Sequence, residues 1–528
     1  MTASPTSAPD AAFTCDVLVI GGGINGVGIA RDLAGRGWQV VLCEQDDLAA
    51  HTSSASTKLI HGGLRYLEYG EFRLVRKALR EREVLLRSAP HIMWPLRFVL
   101  PHDAAMRPGW MIRLGLWLYD HLASRAFLPG SHGIELAGHL LGEPLRPGWH
   151  RAFVYSDGWV DDARLVVACA QDAVEHGARV WTRTRCERVT PTEQGGWTGE
   201  LVEHDAYTGA VRQRRQVQAR AVVNAAGPWA ERVLRQTMAV PLQPDDPGLR
   251  LVKGSHIVVP RLFAHDHAYI FQGSDGRIIF AIPYEHHFTL IGTTDVEFRA
   301  DPAAVQVSES EVSYLCSQIG RYLRQPVRPE DVVWQYAGVR PLLADEHGAA
   351  SAVTRDYRLE QQTFPAPWLT VWGGKLTTFR VLAEQAADQV GSLLGEARRH
   401  WTAQATLPGG ELPGDGKRHV DPQEAMMLFQ ATLRHRYPWL PPALLRRWSR
   451  AYGSALPTWL DAAQGLAELG AEVAPGLYEA ELRYLQRSEW ALTHDDVLWR
   501  RSKLGLHYSA AERQAVADWF AGPGSQPA

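Results

Sequence analysis

DVLVIGGGINGVGIARDLAGRGWQVVLCE, residues 16–44, reads as strand, glycine-packed turn, helix, second strand and a terminal acid. Val17 to Ile20 is an unbroken apolar run, as a strand buried on both faces requires, and Val40 to Cys43 repeats it. Gly21, Gly23 and Gly26 occupy the three glycine positions of G-x-G-x-x-G. The first allows a tight turn, the second lets backbone approach a pyrophosphate, and the third lets helix pack on strand. Glu44 stands 18 residues beyond Gly26, placed for a ribose hydroxyl.

A glycine turn can also do nothing more than join a strand to a helix, but the two apolar flanks and the acid favour a dinucleotide grip. The motif alone does not separate FAD from NAD. At 528 residues the chain exceeds what one hydrophobic core supports, so two or three domains are expected. A net charge of −3 argues against nucleic-acid binding, because no basic excess exists to displace phosphate counterions. The five cysteines, at 15, 43, 169, 186 and 316, contain no C-x-x-C pair and no zinc or iron–sulfur spacing; they read as reduced core residues. No window is apolar enough to span a bilayer, and residues 1–14 read as a disordered tail without a targeting pattern.

Beyond the opening unit, HTSSASTKLIHGGLRYLE (51–68) resembles a ligand-contact loop, and Phe72 to Ser88 an amphipathic helix with Phe72, Val75, Leu79, Leu85 and Leu86 on its apolar side. Arg164 to His176 suggests a helix and GARVWTRTRCERV (177–189) a strand. Residues 193–218 alternate as an antiparallel meander would, ending in a strand at Ala221 to Asn224. Short strands recur from Leu251 to Phe298, and WLTVWGGKLTTFRVLAEQAADQVGSLL (368–394) repeats the strand, glycine turn and helix of the opening. After the break LPGGELPGDGK (407–417), Gln423 to Phe520 has helical periodicity.

GGGINGVGIARDLAGRG, TSSASTKLIHGGLRYLE, EYGEFRLVRKALREREVLL, YSDGWVDDARLV, NAAGPW, KGSHIVVP, IGTTD, GVRPL, TRDY and GGKLTTFR follow one another from about residue 16 to 400. In this order they resemble the flavin-dependent glycerol-3-phosphate dehydrogenases, the membrane-associated respiratory kind of bacteria. The resemblance implies an α/β fold: a discontinuous FAD-binding domain of the glutathione-reductase Rossmann type, interleaved over 15–405 with a β-rich substrate domain (roughly 90–150 and 240–345). It also implies a helical C-terminal domain over 418–522. It further implies oxidation of sn-glycerol 3-phosphate to dihydroxyacetone phosphate, with electrons passing to a membrane quinone.

By the same resemblance, Thr52, Ser53, Ser54, Ser56, Lys58 and Leu59 run along the cofactor, Ala226 and Gly227 sit by its adenine half, and Lys375, Leu376 and Thr377 close over the flavin. Lys375 reads either as a turn lysine, as a cation at the flavin edge where negative charge gathers, or as a phosphate ligand. A substrate dianion calls for arginines, whose planar fork chelates phosphate. Arg65, Arg340 and Arg355 match the family's active-site positions, with Tyr66 beside the first. His256 is the candidate base for the hydroxyl proton, His61 is its rival, and arginine-assisted transfer stays open.

Between His91 and Arg125, Trp94, Trp110 and Trp117 alternate with Arg97, Arg107 and Arg113, which suits a bilayer interface or a buried helical hairpin. LLRRW (444–448) and VLWRRSK (497–503) read as similar basic-aromatic surface. The expected partners are therefore the phosphate substrate, quinone and a peripheral membrane contact on the cytoplasmic face of the inner membrane, with a homodimer left open. An oxidase that reduces O₂ with the same substrate and a non-catalytic flavin scaffold are the competing readings.

Overall fold

A computed structural model describes residues 13–103, 106–238, 240, 248–344, 356–413 and 421–522. Strand β1, Phe13–Ile20, leads into helix α1, Ile24–Gly35, and then strand β2, Val40–Cys43. The strand begins at Phe13, so the last two residues of the tail expected over 1–14 already pair in a sheet. Gly21 takes φ +115°, and a Cβ there would meet the Ala225 carbonyl oxygen at 2.6 Å. A Cβ on Gly26 would come within 1.8 Å of the Gly21 oxygen, so helix and turn meet at a distance only glycine permits.

Eight strands of the described residues form the first sheet, in the order Tyr357–Gln362, Trp368–Gly373, Val211–Asn224, β1, β2 and Arg179–Trp181. From Trp368–Gly373 to Arg179–Trp181 the pairing is parallel. Trp197–His204 and Thr184–Pro191 extend it as the antiparallel meander. The segment 177–189 thus holds two strands rather than the single one expected, broken at Arg183, whose φ is +53°. Helices α1, Asp162–Glu175 and Phe379–Leu393 pack together on this sheet, burying Val27, Leu33, Val166, Leu382 and Ala386.

The second sheet has ten strands among the described residues and draws on Leu59–Ile60, three strands between 93 and 160, and six between 249 and 343. Its apolar faces feed two separate cores, one around Ile257, Phe271 and Leu315, the other around Phe98, Tyr155 and Leu290. Helix α2, Phe72–Ser88, has the predicted bounds; Val75, Leu79, Leu85 and Leu86 are buried, but Phe72 is exposed because it opens the helix at a free corner. The stretch 91–125 is not a hairpin: Met93–His102 is a central strand of the second sheet, and helix α3, Gly109–His121, follows it.

From Pro422 to Ala521 the chain is mostly helical, with one two-stranded sheet, Glu472–Ala474 and Leu477–Tyr478, around its own core, which includes Phe429, Trp448, Leu482 and Phe520. Two segments read as basic-aromatic surface lie inside it. Leu444, Leu445 and Trp448 are buried, with Arg447 clamped on Glu481 at 2.6 Å. Val497, Leu498, Arg501 and Lys503 are buried as well. Helical periodicity places these apolar residues inward, and the basic ones among them follow into ion pairs. All five cysteines are buried and unpaired in disulfides. No described helix is long and apolar enough to cross a membrane.

Candidate active site

Four parallel strands end side by side: Trp368–Gly373, Val211–Asn224, β1 and β2. In an α/β sheet the carboxyl edge is where ligands bind, since turns and helix N-termini open there. A cavity of 890 Å³ lies along this edge, lined by Gly21 and Gly23 after β1, Glu44 after β2, Ala226 and Gly227 after the third strand, and Lys375, Leu376 and Thr377 after the fourth. The second sheet closes it with Gly254, Thr293, Gly338 and Arg340.

The two distant glycine turns touch. Asn25 Nδ2, in the first turn of α1, donates to the Gly373 carbonyl at 3.2 Å. Its Oδ1 is buried with no partner among the described residues, although Asn25 lines the cavity. Glu44 accepts from the Gly22 N–H at 2.6 Å and the Asp46 N–H at 2.9 Å; burial nevertheless pushes its carboxyl above the usual range. Asn25 and Gly22 were not singled out in the sequence, although both stand inside the motif. Asn25 has no distinguishing spacing, and Gly22 matters because a Cβ there would fall 2.7 Å from that of Glu44.

Thr52, Ser53, Ser56 and Leu59 line the cavity, whereas Ser54 and Lys58 do not. Lys58 is buried on Asp162 at 2.6 Å and donates to the Ser54 carbonyl, so its charge is spent inside the protein. Ser53 Oγ accepts from the Ile24 N–H at 2.9 Å, tying this segment to the start of α1.

At the other end, Lys375 Nζ lies 4.4 Å from the centre of the Tyr66 ring, and both residues line the cavity. Arg340 pairs with Asp295 and donates to Thr293 Oγ1 at 2.9 Å, which fixes the guanidinium at the wall. Arg65 is not in the lining; it donates to the Tyr69 hydroxyl at 3.3 Å. Arg355 lies outside the described residues.

His256 is buried at the strand Leu249–Pro260, stacked on Tyr336, and is not in the lining. Its Nε2 shares a 2.9 Å hydrogen bond with Thr57 Oγ1, and Thr57 does line the cavity. Burial, with Arg340 and Lys58 nearby, holds its imidazole well below the usual histidine range, hence neutral. His61 lines the cavity directly.

Residues 16–380 match the FAD dependent oxidoreductase family, and residues 400–521 match the C-terminal domain of alpha-glycerophosphate oxidase. The chain is 49% identical over 522 residues to a glycerol-3-phosphate dehydrogenase of Pseudomonas aeruginosa, covering 98% of both chains. The chain belongs to the FAD-dependent glycerol-3-phosphate dehydrogenase family. A relative from Brucella abortus, a D-erythritol 1-phosphate dehydrogenase, is 48% identical over 96% of this chain and 98% of its own. Among solved structures, the glycerol-3-phosphate dehydrogenase of Bacillus halodurans complexed with FAD superposes with a TM-score of 0.75 at 27% identity, covering 97% of this chain and 91% of that one.

FAD is thus the cofactor of this dehydrogenase, and the cleft fits it. The glycine turn at a helix N-terminus suits the pyrophosphate, buried Glu44 the ribose, and the orphaned Asn25 oxygen a further polar contact.

Proposed function

We propose that the protein oxidises sn-glycerol 3-phosphate to dihydroxyacetone phosphate, with hydride leaving C2 for FAD and the electrons continuing to a membrane quinone. The observation that carries this reading is the pair of cations, Lys375 and Arg340, on the wall where the second glycine turn meets the second sheet. Bound FAD supplies the hydride acceptor. Lys375 would set a cation at the flavin edge, where it favours the negative charge that hydride acceptance brings, and Arg340, held by Asp295, would receive the substrate phosphate beside Tyr66.

The hydroxyl proton passes to Thr57 Oγ1 as Thr57 hands its own proton to Nε2 of His256. His61 is the alternative acceptor inside the cleft. The two routes separate under substitution: Thr57→Val and His256→Ala both lower kcat in the first, and His61→Ala alone does so in the second.

The membrane contact falls on α3. Trp110, Met111, Leu114 and Trp117 are exposed along one side of it, 68% in the case of Trp110, with Arg107 and Arg113 beside them. The helix packs on Leu64–Tyr69, the segment that gives Tyr66 to the cleft, so a lipid-phase acceptor would dock near the flavin end. Trp94, by contrast, lies in the sheet against Trp159.

The Brucella relative favours one second reading, a four-carbon polyol phosphate as substrate. Steady-state assays with an artificial electron acceptor decide it: kcat/KM for glycerol 3-phosphate above that for D-erythritol 1-phosphate supports the proposal, and the reverse order overturns it. Peroxide release in place of quinone reduction would mark an oxidase.

A further inference from the structure

The segment Asp496–Arg501 of the C-terminal domain reaches the loop that follows β2. Arg501 donates from both Nη atoms to the two carboxylate oxygens of Asp47, at 2.6 and 2.7 Å, and Arg500 Nε donates to the same carboxylate at 2.6 Å. Arg500 also holds Asp496, which accepts from Arg183 at 2.7 and 3.0 Å. The Arg183 N–H then donates to the Asp46 carbonyl at 2.8 Å, and the Thr184 N–H to the Glu44 carbonyl at 2.7 Å.

Glu44, Gln45, Asp46, Ala49, Ala50 and His51 line the cleft. Asp47, Asp496, Arg500 and Arg501 do not, and Asp47, Asp496 and Arg501 are buried. A buried carboxylate gripped by two guanidiniums has one geometry, since each planar fork fixes direction as well as distance and neither charge tolerates losing its partner. Loop 44–51 is therefore clamped from behind, through Asp47, and from the side, through Arg183.

We propose that Asp496–Arg501 is a positioning brace for the adenosine half of FAD: the C-terminal domain holds loop 44–51 in its binding shape and so sets cofactor affinity without touching the cofactor. The test is titration of apoprotein with FAD, read by flavin fluorescence. Asp47→Asn and Arg501→Gln should raise the FAD Kd about tenfold or more while, in protein reloaded with excess FAD, the substrate KM moves less than about twofold. Arg450→Ala serves as the control, because it loosens the same domain at a different contact, the Pro90 carbonyl and the Trp94 ring. A Kd unchanged in Asp47→Asn and Arg501→Gln, or raised equally in Arg450→Ala, overturns the brace.

Should the variants fail to fold, hydrogen exchange on the unaltered protein gives the same decision. FAD should slow amide exchange in 496–501 together with 44–51; protection confined to 44–51 contradicts the proposal.

Discussion

Single atoms decide much of this cleft. Gly26 has no room for a methyl group, so Gly26→Ala should cost about 3 kcal/mol, the upper end of the overpacking range, and lower FAD content in purified protein; a thermal melt and a flavin-to-protein ratio check both. Arg340→Ala should raise the substrate KM steeply with flavin content unchanged, because the side chain sits on the wall of the cleft away from the glycine turn of α1. An unaltered KM would remove Arg340 from phosphate binding. The glycines and Glu44 were legible as residues because a motif fixes their spacing, and Lys375 through the family resemblance of its segment. The Thr57 hydroxyl between His256 and the cleft was not, since a side-chain contact between segments 199 residues apart creates it. Lys58 shows the opposite error: a cation in a cofactor-like loop whose charge is neutralised by Asp162, 104 residues away.

At the scale of elements, the same composition has two fates. Tryptophan and arginine occur both on α3 and in 496–501, yet α3 turns its aromatic side to solvent and the other segment is enclosed. The residue types do not tell them apart; what does is whether another core is available to cover them. Helix α3 packs on Leu64–Tyr69 and on the core around Phe98 and Tyr155 through Leu116 and Tyr119, leaving Trp110, Leu114 and Trp117 uncovered. Replacing those three with serine should therefore leave the melting temperature nearly unchanged while abolishing sedimentation with anionic vesicles at low salt. Retained vesicle binding would move the contact elsewhere. The helix Phe72–Ser88 was readable to its last residue because a regular apolar stripe continues to the point where the chain enters a strand.

For the molecule as a whole, the split of the nucleotide-binding sheet was legible from its two glycine turns, while the ten-stranded partner sheet was visible only as a series of short strands whose pairing is long-range. Buried histidines make its stability depend on pH. Desolvation, with Arg164 and Arg450 nearby, lowers His91 to about 3, and His256 is likewise depressed. Below pH 6.5 the unfolded chain takes up these protons and the folded chain does not, so stability falls with pH by up to about 1.4 kcal/mol per unit for each histidine. Denaturant melts at pH 7 and pH 5 should show this loss, reduced in His91→Gln where the variant folds. The most direct measurement of the central claim is anaerobic mixing of the purified yellow flavoprotein with glycerol 3-phosphate. The flavin absorbance should bleach with one dihydroxyacetone phosphate formed per FAD and return on adding a quinone; a flavin that stays oxidised with saturating substrate would contradict the assignment.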